Sequence, residues 1–385
     1  MNTFIKTTLA VTLAIFSSTA AMGQSESANA EGIGINITKN GRIEFKELTE
    51  KKWFQDLSSR IKLHGYAQAG YTYSRHDGTN VNTFDVKRIL FWVDAKITDR
   101  WSFLFMHDFS SVVQEFYTDF RITKNKALTV RFGQFKNGLS LENPLSPTSM
   151  EAIDVYSEAV TFLTGCGSDP LLGTQYGRDL GLSLFGETNN GKFRYELDVM
   201  NGQGINKKDG NNFKDIITRF EYRPVTGLNI VATGQIGRGH SVMKDGNVSV
   251  YNPTIANGQD YKRHRCTIGA DYKSKAFNVH GEYLNGWDGD AHSWGAYVTG
   301  AVPLARFGSP ELGKRLELVA SYDFFNFNTD LGMDQHKAIG GLQYWFYKKC
   351  RMQVQYVYKS AYSTPTVFAP GAHHAIMCQM QVRFN

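Results

Sequence analysis

Apolar and polar residues alternate with a period of two along at least a dozen stretches of this chain, while the three-to-four residue period of a buried helix is almost absent. In the last stretch Ile376, Cys378, Met380, Val382 and Phe384 share one phase, and Gln379, Gln381 and Arg383 share the other. One face suits lipid and the other suits water. That pattern predicts an all-β fold, a transmembrane antiparallel β-barrel. Sixteen strands can be drawn, the first from Arg60 and the last over 373–384. Dividing or merging a hairpin changes the number but keeps it even.

Connections alternate between tight and long, as periplasmic turns and external loops do in such barrels. Thr98–Asp99, 189–191 and 224–227 are tight; 202–213, 238–260, 303–313 and 361–372 are long, and 137–176 is the longest. A segment of that length without strand pattern is usually functional. Following the fifth strand, it is expected to fold inward and narrow the lumen; a loop lying on the external surface is the alternative. Its candidate constriction residues are Glu142, Glu151, Asp154, Tyr156 and Glu158. Aromatic residues cluster near strand ends, as in Trp101, Phe103 and Phe105, then Phe324, Phe325 and Phe327, then Tyr344–Tyr347, where rings at headgroup depth form girdles.

The chain's beginning reads differently. Lys6, an apolar run from Leu9 to Phe16 and small residues up to Gly23 make a secretory signal over 1–23, and 24–58 forms a periplasmic extension before a barrel over 59–385. The extension is expected to carry a short helix, with a plug or partner-binding arm as alternatives. No apolar run reaches the roughly 18 to 20 residues of a membrane-spanning helix. The mature chain allows about 22 residues per strand with its connection, which fits a tilted span of about 9 to 11 residues plus turns.

Cys166, Cys266, Cys350 and Cys378 lack the paired spacing of a zinc site or redox dithiol, so neither a disulfide nor a metal is expected. The formal charge of +6, one unit of which leaves with Lys6, contains no run of like charge that would suit nucleic acid. In the water-facing phase the basic residues outnumber the acidic ones, and Arg88, Arg121, Arg131, Arg219, Arg263, Arg265, Arg315 and Arg351 are the anion-pathway candidates. Fixed cationic charge along a narrow aqueous pore favours anions. An outer-membrane enzyme is the rival of another class, but the ten histidines are scattered without a nucleophile-and-base motif. A closed structural or adhesion barrel is the third reading, which eight to ten strands would favour and sixteen do not.

Several short motifs carry a family resemblance: Gly65, Tyr66, Gln68 and Ala69 in the first strand; Gly133, Gln134, Phe135 and Lys136 before the long loop; Gly177, Arg178, Asp179 and Gly181 after it; and Asn201, Gly202 and Gly204. With them the chain resembles the phosphate-selective porin O and P family, in its Bacteroidetes-type form. The resemblance implies a homotrimer in the outer membrane of a Gram-negative bacterium, with a third external loop constricting each lumen and basic wall residues guiding anions. It also implies contact with outer-membrane lipid and delivery by the barrel-assembly machinery, which reads a terminal aromatic; here that residue is the penultimate Phe384. The expected activity is passive diffusion of small hydrophilic solutes, preferentially phosphate or similar anions, with a general non-selective pore as the alternative and no cofactor.

Overall fold

A chain that must satisfy its backbone in lipid closes its sheet, because an open edge would leave unpaired amides in hydrocarbon. The computed structural model describes residues 36–37, 43–44, 52–76, 78–243, 251–306, 315–362 and 371–384. Sixteen antiparallel strands form one closed barrel. They are β1 (Ile61–His76), β2 (Thr79–Lys96), β3 (Trp101–Asp108), β4 (Val113–Arg121), β5 (Thr129–Lys136), β6 (Arg178–Glu187), β7 (Phe193–Met200) and β8 (Asp215–Tyr222), followed by β9 (Leu228–His240), β10 (Asp260–Lys273), β11 (Asn278–Asp288), β12 (Ala291–Pro303), β13 (Leu316–Asn326), β14 (Asp334–Tyr347), β15 (Cys350–Tyr362) and β16 (Gly371–Phe384). Closure comes from β16 on β1, with Cys378 opposite Tyr71 and Phe384 opposite Gly65.

Burial is inverted relative to a water-soluble protein. On β8 the inward Asp215, Arg219 and Glu221 are buried, whereas the outward Ile216, Phe220 and Tyr222 are exposed. The period of two therefore separates a lipid face from a polar, largely filled lumen. Three register breaks interrupt it, at Gln68/Ala69, Met106/His107 and Trp345/Tyr347; in the first, Gln68 faces Arg88 and Ala69 faces Val86, so Lys87 is the extra residue of a bulge.

Strand parity, rather than length, decides which end of the barrel a connection occupies. The segment 303–313, expected among the long external loops, instead joins β12 to β13 at the turn end, shared with Thr98–Asp99. At the opposite end, the β11–β12 connection is only Gly289–Asp290. The expected aromatic clusters also divide by phase. Trp101, Phe103 and Phe105 face outward, but Phe325 and Phe327 are buried against the loop, and Trp345 donates to Glu317 at 2.9 Å.

Of the extension over 24–58, the described part comprises a two-residue ladder (Asn36–Ile37 with Ile43–Glu44) and the start of helix α1 (Lys52–Arg60), which leads directly into β1. The signal segment 1–23 lies outside the described residues. None of the four cysteines is disulfide-bonded, and Cys266 is exposed on the outer wall.

Candidate functional site

The long connection between β5 and β6 leaves the wall through a tight pinch. Asn143 Nδ2 donates to the Asn137 and Gly177 carbonyls at 3.0 and 3.1 Å, and Gly177 sits at φ +64° where a Cβ would lie 2.2 Å from Asn143 Oδ1. Only glycine closes that neck without a clash. Lys136 Nζ, at the last residue of β5, donates to the Asn143 and Leu145 carbonyls, both at 2.7 Å. On the far side Arg178 is fixed by Glu115 at 2.8 Å, and Asp179 accepts from the Gly202 amide at 2.6 Å. The short motifs flanking the loop thus build its base and join it to the next external loop.

From there the loop crosses the lumen, bonded to facing walls in turn. Ser140 Oγ and the Leu141 amide donate to Glu282 on β11 at 2.7 and 3.0 Å. Gln353 and Gln355 on β15 both donate to the Glu151 carbonyl, at 2.8 and 2.7 Å, while the Ile153 amide returns a bond to Gln355 at 2.9 Å. Helix α2 (Glu158–Leu163) follows, capped by Ser157, whose Oγ accepts from the Val160 amide at 3.0 Å. Its apolar side, Ala159, Val160, Phe162 and Leu163, packs with Tyr251, Leu284, Tyr297, Phe325 and Phe327. That cluster seals part of the lumen's loop end with hydrocarbon.

Acidic residues on the loop meet cations on the wall. Glu142 Oε1 lies 3.0 Å from His280 Nε2, and Glu158 Oε1 lies 3.0 Å from Lys337 Nζ and 2.8 Å from Lys359 Nζ. Burial resists ionisation of Glu158, but these two ammonium groups outweigh it and hold the carboxyl well below the usual range. Tyr156 is the third group on Lys136, its hydroxyl 3.3 Å away. Glu151 joins through its carbonyl, with its carboxylate 3.8 Å from His280 Nδ1, and Asp154 is exposed.

The candidate arginines separate into three groups. Arg219 is buried between Glu221, at 2.7 Å, and the loop carbonyls of Gly138 and Ser140. Arg265 is chelated by Asp288 at 2.7 and 2.8 Å and donates to the Leu163 carbonyl, while Arg263 lies 3.7 Å from Asp215 and 3.8 Å from Asp169. Arg351 is 1 % exposed and donates to Gln343 and the Met150 carbonyl. These four brace the loop and are shielded from a passing solute. Arg315 is exposed in the turn ahead of β13, off the lumen wall, because β13 begins only at Leu316.

The remaining three are Arg88, which is half-buried, and Arg121 and Arg131. Arg88 Nη1 donates at 3.0 Å to Gln68, a neutral acceptor, so its charge is not cancelled. Arg121 and Arg131 line a cavity of about 560 Å³ at the turn end of the lumen. Lys96, Arg100, Lys126, Arg194 and Arg223 line it as well, against the carboxylates of Asp99, Asp119 and Glu187. Arg131 forms a two-point bond with Asp119 at 2.7 and 2.8 Å and stacks 3.8 Å over the Tyr117 ring. Among the described residues no ion pair within 4.0 Å engages Arg100 or Arg121. Sequence reasoning passed over Arg100 and Lys126 because both sit in turns, outside the strand alternation; their nearness to tight connections was the available signal.

This architecture has known counterparts. Residues 61–237 match the phosphate-selective porin O and P family. No curated protein matches the chain in sequence. Among solved structures, the barrel is similar to the outer-membrane protein OmpT of Vibrio cholerae in its trimer form, at 14 % identity over 84 % of this chain and 100 % of that one, with a TM-score of 0.57. It is also similar to Salmonella typhi OmpF (11 % identity, 84 % and 97 % covered, TM-score 0.59) and to Pseudomonas putida OprB (9 %, 86 % and 96 %, TM-score 0.61). Such identities speak to the fold, and the family match over 61–237 points the same way, to the barrel of an outer-membrane porin. The family match ends within β9, so the pinch, the crossing loop and the cavity all have residues inside the matched region, whereas the lysine and glutamine anchors of β14 and β15 lie beyond it.

Proposed function

We propose that the porin conducts small hydrophilic anions, phosphate among them, by passive diffusion through a homotrimer. The reading is carried by the composition of the turn-end cavity, where lysine and arginine outnumber carboxylates and Arg100 and Arg121 are free of ion pairs. Arg88 extends the uncancelled charge to mid-lumen. A solute leaving the crossing loop therefore enters a vestibule of net positive potential, which concentrates anions and repels cations. The wall supplies charge and shape only, so transport follows the gradient.

The test is the reversal potential of the purified porin in planar bilayers across a potassium chloride gradient, followed by phosphate titration. Anion-selective channels whose chloride current falls as phosphate is added support this reading. Equal permeability of potassium and chloride would assign a general diffusion pore instead.

A further inference from the structure

On the outer wall, beside the external end of β9 and β10, two cations stand directly opposite each other. Arg238 and Lys262 are cross-strand partners, and both are exposed on the lipid-facing phase. Like charges placed directly opposite are unfavourable in a sheet. Neither has an ion-pair partner among the described residues: Arg238 rests 4.8 Å from the Phe213 ring, and Asp260, the next outward residue on β10, is taken by His240 at 2.7 Å. Toward the membrane centre the same face becomes apolar, with Ile236 64 % and Ile268 58 % exposed and Cys266 beside them. Trp287, opposite His264, marks the aromatic girdle at this depth.

A cationic pair just above a girdle, over bare hydrocarbon, fits an amphiphile that carries phosphate on its head and acyl chains below. We infer that Arg238 and Lys262 clamp the phosphate of an external-leaflet glycolipid of the lipid A class. The phosphate bridges the two cations and removes their repulsion, and the acyl chains cover Ile236, Ile268 and Cys266. Arg offers a forked donor set for phosphate oxygens and Lys a point charge. The site lies on the opposite face of the wall from the pore, so it is independent of the conduction reading.

The experiment is native mass spectrometry of the detergent-purified trimer with diphosphoryl lipid A, with the same lipid stripped of its phosphates, and with inorganic phosphate as competitor. Diphosphoryl lipid A should stay bound to the wild type, each single variant, Arg238→Gln or Lys262→Gln, should weaken it about fivefold, and the double variant about thirtyfold. Lys262→Arg should retain it, which keeps the test readable if the double variant folds poorly. Channel conductance should not change. Unaltered lipid A affinity in the folded double variant would overturn the assignment, as would displacement by millimolar inorganic phosphate. A double variant that loses only protomer association would assign the pair to a subunit contact instead.

Discussion

Glu158 on the crossing loop and Lys337 on β14 form a part-buried ion pair at 3.0 Å that fastens the loop to the wall opposite its base. The lysine side chain is 4 % exposed and also lies 3.7 Å from Asp323, whose carboxylate accepts from the Glu158 amide at 2.6 Å. Removing Lys337 would strand the buried carboxylate of Asp323 and leave Glu158 with Lys359 alone. Lys337→Met is therefore expected to destabilise the loop-bound state by about 3–5 kcal/mol. Heat-modifiability on gels and open-channel noise in bilayers check this together: the barrel should survive while the current becomes noisier.

The same pair gives an acid response. The carboxyl of Glu158 is held below its ordinary range, so its contribution is complete above about pH 4.3, the unperturbed glutamate value. It is lost as pH falls toward the folded value. Channel noise should thus rise on acidification below about pH 4, and Glu158→Gln should show that noise already at neutral pH with the acid step removed. A Glu158→Gln channel as steady as the wild type at neutral pH would exclude the latch.

Arg121 and Arg131 line one cavity but should behave differently. Arg121→Gln removes an unpaired charge and is expected to lower the anion-to-cation permeability ratio with little effect on stability. Arg131→Gln leaves Asp119 without its two-point partner, at a cost of about 1.5–3 kcal/mol, while the cavity as a whole stays net basic. Reversal potentials and thermal unfolding of the two variants separate the roles.

Gly133 sits at φ +137°, where a Cβ would lie 2.2 Å from the Phe116 carbonyl oxygen. Gly133→Ala should sharply lower the yield of heat-resistant barrel. Gly340 has nothing within 4 Å of its Cβ position, so Gly340→Ala should fold like the wild type.

The loop's crossing depends on paired glutamines. Gln353→Leu with Gln355→Leu removes both donors to the Glu151 carbonyl and the acceptor for the Ile153 amide. Single-channel conductance should increase as this part of the loop lifts from β15, and an unchanged conductance would show that the remaining anchors hold it.

The chain's alternation of polar and apolar residues determined the barrel, its sixteen strands and which side chains face lipid, because a strand in a closed sheet has only two faces and the period of two is local. Inserting Lys87 as a bulge, turning Phe325 and Phe327 inward and assigning 303–313 to the turn end did not follow from that period, since each depends on what neighbouring strands or strand parity impose. The same limit applies to the arginines. Arg121, Arg219 and Arg265 look alike in sequence, yet Asp288 and Glu221 neutralise two of them while Arg121 stays open, and these partners come from the fold. The charge of a residue is written in the chain, but whether that charge is free is decided by which carboxylate or carbonyl the tertiary structure brings within hydrogen-bonding distance.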